Sequence, residues 1–204
     1  MNSLPTLDWQ KLGGLAPAIV QDADTQQVLM LGYMNADALA QTLATKRVTF
    51  FSRSKNRLWV KGESSGHFLD VVDVTADCDQ DALLVRARPH GPTCHRGTCS
   101  CFGDDGATGT GFLAQLERTV NQRLASGDEK SYTAKLVREG VKRVAQKVGE
   151  EGVETALAAT AGDNAELASE AADLLFHLIV LLRAKGLSLA DALAVLEQRH
   201  AAKK

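Results

Sequence analysis

Proline and cysteine are missing from the second half of this chain. All four prolines and all four cysteines lie at or before Cys101, and none follows in a sequence of 204 residues. A segment without proline has nothing to break a long helix, and one without cysteine has no thiolate or disulfide chemistry. Aromatic residues are also scarce, at 5% of the chain, and both tryptophans precede residue 60. No charge of one sign dominates, since the net charge is -2 with lysine and arginine spread along the chain. That removes the electrostatic basis for binding nucleic acid or an anionic membrane. Long apolar runs are lacking too. The longest, Leu174 to Leu182, is interrupted by His177, whereas a bilayer span needs about 20 apolar residues. It reads as a core helix. The N-terminus lacks the basic start and apolar run of a secretory signal. Cysteines without such a signal point to a cytoplasmic setting, where thiols bind metal more often than they pair.

What is present divides in two at Gly103-Asp104-Asp105-Gly106-Ala107-Thr108-Gly109-Thr110-Gly111, a run with the composition of a flexible linker. The expected domains are 1–102 and 112–204, joined by 103–111. The first reads as α+β, mostly antiparallel β. Strand candidates are Ala18-Ile19-Val20, Gln27 to Leu31, Val48 to Phe51, Leu58 to Val60, His67 to Thr75 and Ala82 to Arg88, with a helix capped by Asn35 and running through Ala44. The second reads as all-α with about four helices, Phe112 to Ala125, Val137 to Ala161, Asn164 to Lys185 and Leu189 to His200. Asp163 and Ser188 are set as N-caps, and Gly127, Gly162 and Gly186 stand where helices should stop.

The first chemical constellation is Asp77-Cys78-Asp79-Gln80-Asp81, followed by Cys94, Cys99 and Cys101. In an extended segment the three carboxylates share one face and Cys78 takes the other. Convergent carboxylates suit a hard cation such as Mg²⁺, and thiolates suit Zn²⁺. If four cysteines ligate, the zinc site is closed and structural; if three ligate, the fourth position is open to water. Spacing leaves both open. A solvated acidic turn is the competing reading of the aspartates, and the nearby cysteines weigh towards metal.

These residues sit in a longer pattern: Phe51-Ser52-Arg53-Ser54-Lys55, Leu58 to His67, Asp77 to Asp81, Gly91-Pro92-Thr93-Cys94-His95 and Ser100-Cys101-Phe102. From about Leu7 to Phe102 the chain resembles phosphoribosyl-AMP cyclohydrolase of histidine biosynthesis. The resemblance implies Mg²⁺ on Asp77, Asp79 and Asp81, and catalytic Zn²⁺ on Cys78, Cys94 and Cys101. It also implies a homodimer whose zinc takes ligands from both subunits, and it leaves Cys99 as a spare thiol. Zinc lowers the pKa of bound water to about 7 and so supplies hydroxide to open the adenine ring. His95 and His67 are candidate proton shuttles, or else loop residues and outer hydrogen-bond partners. Arg53, Lys55 and Lys61 are candidates for the substrate phosphates, with a solvated strand face as the alternative. Trp59 reads as core or as a stacking wall.

The second constellation is Glu150-Glu151-Gly152-Val153-Glu154 with Glu170-Ala171-Ala172-Asp173. Residues three and four apart share a helix face, so two antiparallel helices can aim up to five carboxylates at one point. Solvated acidic faces are the competing reading. Against it, Glu170 and Asp173 border Leu174-Leu175-Phe176, and acids beside a core need a partner or a cation. The pattern EExxE followed by ExxD resembles the all-α MazG-like nucleotide pyrophosphohydrolases. Ser131 to Leu136, Lys147 to Glu154 and Glu170 to Leu178 narrow this to phosphoribosyl-ATP pyrophosphohydrolase, over about Phe112 to His200. That resemblance implies a helical bundle of the MazG-like type, with Glu150, Glu151, Glu154, Glu170 and Asp173 on Mg²⁺ and pyrophosphate as a product. Lys135, Arg143 and Lys147 are candidates to meet phosphates, with surface pairing to glutamate as the alternative.

Together the resemblances describe consecutive steps of histidine biosynthesis on one polypeptide, acting on small phosphoribosyl nucleotides. Two other readings compete: a general nucleotide pyrophosphohydrolase carrying an inert zinc domain, and a zinc-stabilised binding module without activity.

Overall fold

Alternating burial along Ala16–Asp22 defines the first strand, β1. Ala16, Ala18 and Val20 are buried while Ile19 is exposed, as a half-covered strand requires. β1 pairs antiparallel with β2 (Val28–Met34) and parallel with β6 (Leu83–Pro89), and β6 pairs antiparallel with β5 (Leu69–Ala76). The sheet order is β2-β1-β6-β5. One face packs a core that includes Val20, Leu29, Met34, Leu69, Leu83 and Val85. That core also takes in the helix α1 (Ala36–Thr45) and the antiparallel hairpin β3 (Thr49–Ser52) and β4 (Arg57–Val60), through Leu39 and Phe50. The Asn35 side chain accepts a hydrogen bond from the Ala38 N–H at 2.9 Å and caps α1 as expected. The computed structural model describes residues 5–103, 106–128 and 130–202. The extreme ends of both expected domains and Asp104 and Asp105 of the Gly-rich run lie outside them.

The chain forms two compact units, Met1–Phe112 and Leu113–Lys204. Within the first, part of the Gly-rich run is seated on strand-bearing structure: Ala107 is buried, and Gly106 O accepts from Gln27 Nε2 at 2.9 Å.

The second unit is helical. Its elements are α2 (Gly111–Ala125), α3 (Tyr132–Arg138), α4 (Val141–Ala161), α5 (Asn164–Ala184) and α6 (Leu189–Ala201), α2 beginning just before the unit boundary. The sequence pattern merged part of α3 into the helix after it. Gly140, at φ +100°, separates the two, so the helix expected from Val137 starts at Val141 and, among the described residues, five helices stand where about four were expected. Asp163 and Ser188 cap α5 and α6, the latter in a reciprocal capping box with Asp191. Only Gly162 and Asp163 separate α4 from α5, which makes them an antiparallel hairpin. Val120, Leu136, Val144, Ile179 and Val180 form the core of this unit. Among the described residues no helix is long and apolar enough to cross a membrane.

Candidate metal centres

In the first unit the acidic trio departs from the extended geometry expected of it. β5 ends at Ala76, and Asp77 to Asp81 form the turn into β6, with Gln80 at φ +61°. Strand alternation therefore does not sort these side chains. The turn gathers them instead: Asp77 Oδ1 accepts the backbone N–H groups of Asp81 (2.8 Å) and Ala82 (3.0 Å) and so closes its own loop. Those donors hold the Asp77 carboxyl below the usual carboxylate range. Ligand oxygens of Asp77, Asp79 and Asp81 all lie within 4.8 Å of one another. Lys11 Nζ contacts Asp79 at 3.0 Å and Asp81 at 2.9 Å, a pairing the sequence pattern did not signal. The trio fits a hard cation by its all-oxygen donor set and by its attraction of a cationic side chain.

The thiols take another place. A cavity of about 440 Å³ is lined by Trp59, Lys61, His67, Thr93, Cys94, His95 and Cys101, among others. Cys94 and Cys101 thus line one cavity. The Arg96 N–H and the Thr98 side chain pull the Cys94 thiol down, whereas burial and the Cys94 thiol push Cys101 up. His95 Nδ1 is 3.9 Å from Cys94 Sγ. Cys78 is exposed on the β5–β6 turn, and no group of three close His, Cys, Asp or Glu ligand atoms among the described residues includes a thiol. One chain thus brings two of the three expected zinc thiolates together. Two soft donors beside an imidazole fit zinc in type, and a catalytic zinc needs a third protein ligand. Cys99 is exposed and does not line the cavity.

Two glycines set His67. Gly62 has φ +93°, and a Cβ there would lie 2.5 Å from His67 O; a Cβ on Gly91 would lie 2.8 Å from the imidazole Cδ2. Lys61 is only 7% exposed and donates to His67 O at 3.3 Å. Burial lowers its pKa, while the neighbouring thiols Cys101 and Cys94 act the other way. Thr93 is buried with a hydroxyl that finds no hydrogen-bond partner among the described residues. Trp59 stacks on Phe50 at 5.6 Å and also borders the cavity. Arg53 lies over the Tyr33 ring at 4.1 Å, and Lys55 is exposed in the β3–β4 turn; neither lines this cavity.

In the second unit, Glu151, Glu154 and Glu170 bring carboxylate oxygens within 4.8 Å of one another across α4 and α5. Glu151 occupies the buried stripe of α4, between Val144 and Ala158, where periodicity calls for an apolar residue. Lys147 Nζ reaches Glu151 at 2.7 Å and Glu150 at 2.9 Å. Its hydrogen bonds lower the pKa of both carboxyls. Burial, then the charges of Glu151 and Glu170, raise that of Glu154. Such crowding of like charge, with one member pushed towards protonation, is relieved by a cation. Glu150 turns to Lys147, Gln146 (2.8 Å) and Arg143 (3.7 Å) rather than to the trio. Asp173 is exposed one turn before His177 and is not in the trio. Lys135 is exposed on α3. Two residues without an assigned role stand next to the site: His177, whose Nδ1 is 3.6 Å from Glu151, and Tyr132, hydrogen-bonded to His177 at 3.1 Å. The available signal was the histidine interrupting the most apolar run of the chain.

Residues 30–103 match the family of phosphoribosyl-AMP cyclohydrolase, and residues 113–200 match that of phosphoribosyl-ATP pyrophosphohydrolase. Over 199 residues the chain is 60% identical to the histidine biosynthesis bifunctional protein HisIE of Xanthomonas campestris, covering 98% of this chain and 95% of that protein. With the same-named protein of Escherichia coli K12 the identity is 58% over 194 residues, 95% of each. With that of Photobacterium profundum it is 55% over 206 residues, 98% and 99%. Both units, in the same order and over nearly the whole length, place the chain in the bifunctional histidine-biosynthesis family HisIE, which joins a phosphoribosyl-AMP cyclohydrolase to a phosphoribosyl-ATP pyrophosphohydrolase.

Proposed function

We propose that each unit performs one metal-assisted hydrolysis, with the helical unit acting first. Phosphoribosyl-ATP and water yield phosphoribosyl-AMP and pyrophosphate there, and the β-rich unit then opens the adenine ring of phosphoribosyl-AMP. The observation that carries this division is the contrast in donor sets: a carboxylate cluster across α4 and α5 in one unit, and in the other, apart from its own carboxylate trio, two thiols and two imidazoles lining one cavity.

In the helical unit, Glu151, Glu154 and Glu170 hold Mg²⁺, with Glu150 and Asp173 completing the set. The ion supplies neutralisation of charge on the triphosphate. Lys147 and Arg143, already drawn to this edge by Glu150, meet substrate phosphates, and Lys135 approaches from α3. In the β-rich unit, Cys94 and Cys101 hold Zn²⁺ with Cys78 of a second copy in a cytoplasmic homodimer. The ion supplies hydroxide at neutral pH. His67 and His95 move protons at the cavity wall, Trp59 stacks on the base, and Lys61 offers a buried cation to a phosphate. Arg53 and Lys55 extend that positive edge outwards. Asp77, Asp79 and Asp81 hold a separate Mg²⁺.

Selective metal removal tests this. Incubation with a zinc-selective chelator, followed by Mg²⁺ readdition, should abolish ring opening and leave pyrophosphate release intact. Loss of both activities, or of neither, in protein whose zinc has been shown to leave would contradict the assignment.

A further inference from the structure

Buried His177 and exposed Tyr132 form a polar pair in the helical unit that the pyrophosphohydrolase reading leaves unused. His177 is 5% exposed, on the face of α5 that also buries Val180. Its Nδ1 lies 2.9 Å from Asp173 O, a carbonyl that only accepts, so Nδ1 carries a proton whatever the state of the ring. The same N–H edge faces Glu151 Oε1 at 3.6 Å, beyond hydrogen-bond length and within electrostatic reach. On the opposite edge Nε2 meets the Tyr132 hydroxyl at 3.1 Å, which donates to the neutral ring. Stacking fixes the pair: Tyr132 lies on Phe176 at 6.4 Å, and Phe176 packs edge-on to His177 at 5.2 Å. Glu151 is itself 5% exposed, and its nearest cation, Lys147, approaches along α4.

We propose that His177 and Tyr132 are positioning residues for the pyrophosphohydrolase site. Tyr132 sets the ring, and His177, its Nδ1–H held by Asp173 O, lays the positive edge of the ring against the Glu151 carboxylate from α5 and so keeps it towards Glu154 and Glu170. Outer partners of this kind orient metal-binding carboxylates and tune their affinity. The inference rests on the reading of Glu151 as a metal ligand.

The test is Mn²⁺ binding to the full chain, followed by electron paramagnetic resonance, together with nitrogen NMR of the His177 ring. In the wild type, Nδ1 should be protonated; a bare Nδ1 overturns the proposal. Tyr132→Phe keeps the stacked ring and loses only the hydroxyl. It should weaken Mn²⁺ binding about 10-fold, and His177→Gln by about 10- to 100-fold, as for other outer partners of metal ligands. His177→Asn keeps a donor where Nδ1 stood and should recover most of the loss. Wild-type Mn²⁺ affinity in Tyr132→Phe and His177→Gln, or no recovery in His177→Asn, overturns it. Glu151→Gln separates the two claims: if that variant binds Mn²⁺ like wild type, the metal-ligand reading itself fails.

Discussion

Glu151 stands where helix periodicity asks for an apolar side chain, and Lys61 is a buried cation that donates to the His67 carbonyl. Burying either charge is costly without a compensating group; Lys147 offsets Glu151 at 2.7 Å, and the thiols of Cys101 and Cys94 favour the charged form of Lys61. At the same scale, Gly62→Ala should destabilise the β-rich unit by about 1–3 kcal/mol, the cost of holding a non-glycine residue in left-handed backbone. It should also lower ring opening, because the added methyl meets His67 O at 2.5 Å. Chemical denaturation and a ring-opening assay check the two effects. Cys99→Ser should retain the zinc content of the wild type by elemental analysis, since Cys99 does not line the cavity that holds Cys94 and Cys101. The aspartate trio shows how far such residues are legible in sequence. Three carboxylates at alternate positions converge, as their spacing suggested, yet a turn closed by Asp77 brings them together rather than a strand face. Lys11 and Tyr132 were not legible as site neighbours, because each meets its partner over a long stretch of chain that no periodicity spans.

Among the elements, strands and helices with a full period announced themselves, and the short α3 did not. Seven residues give barely two turns of pattern, and Gly140 was needed to part α3 from α4. Caps were the dependable local signal: Asn35, Asp163 and Ser188 each accept backbone N–H bonds at the start of a helix. Ser188→Ala should cost about 1 kcal/mol, as for other lost caps, seen as a lower denaturation midpoint of the helical unit. The reciprocal partner adds a pH dependence. The Ser188 hydroxyl and N–H hold the Asp191 carboxyl below its ordinary range. Its contribution is therefore complete above the unfolded carboxylate pKa of about 3.9 and is lost as pH falls through the lower folded value. A stability gap between wild type and Asp191→Ala should be present at neutral pH and close on strong acidification, measured by denaturation at a series of pH values.

For the whole molecule, composition alone separated two kinds of protein on one chain. The division holds because the chemistry differs: soft and hard donors in a β-rich unit, and carboxylates alone on a helical hairpin. What composition could not supply was the incompleteness of the thiol set within one chain. Cys78 lies on the turn just after β5, and among the described residues no cluster of three close ligand atoms joins it to Cys94 and Cys101. The central claim is that two independent centres act in succession. The most direct measurement follows the products of Cys94→Ser given phosphoribosyl-ATP and Mg²⁺. Pyrophosphate should be released at the wild-type rate while phosphoribosyl-AMP accumulates unopened, until Glu154→Gln protein is added and consumes it. A folded Cys94→Ser protein that releases no pyrophosphate, or that opens the ring unaided, would contradict the account.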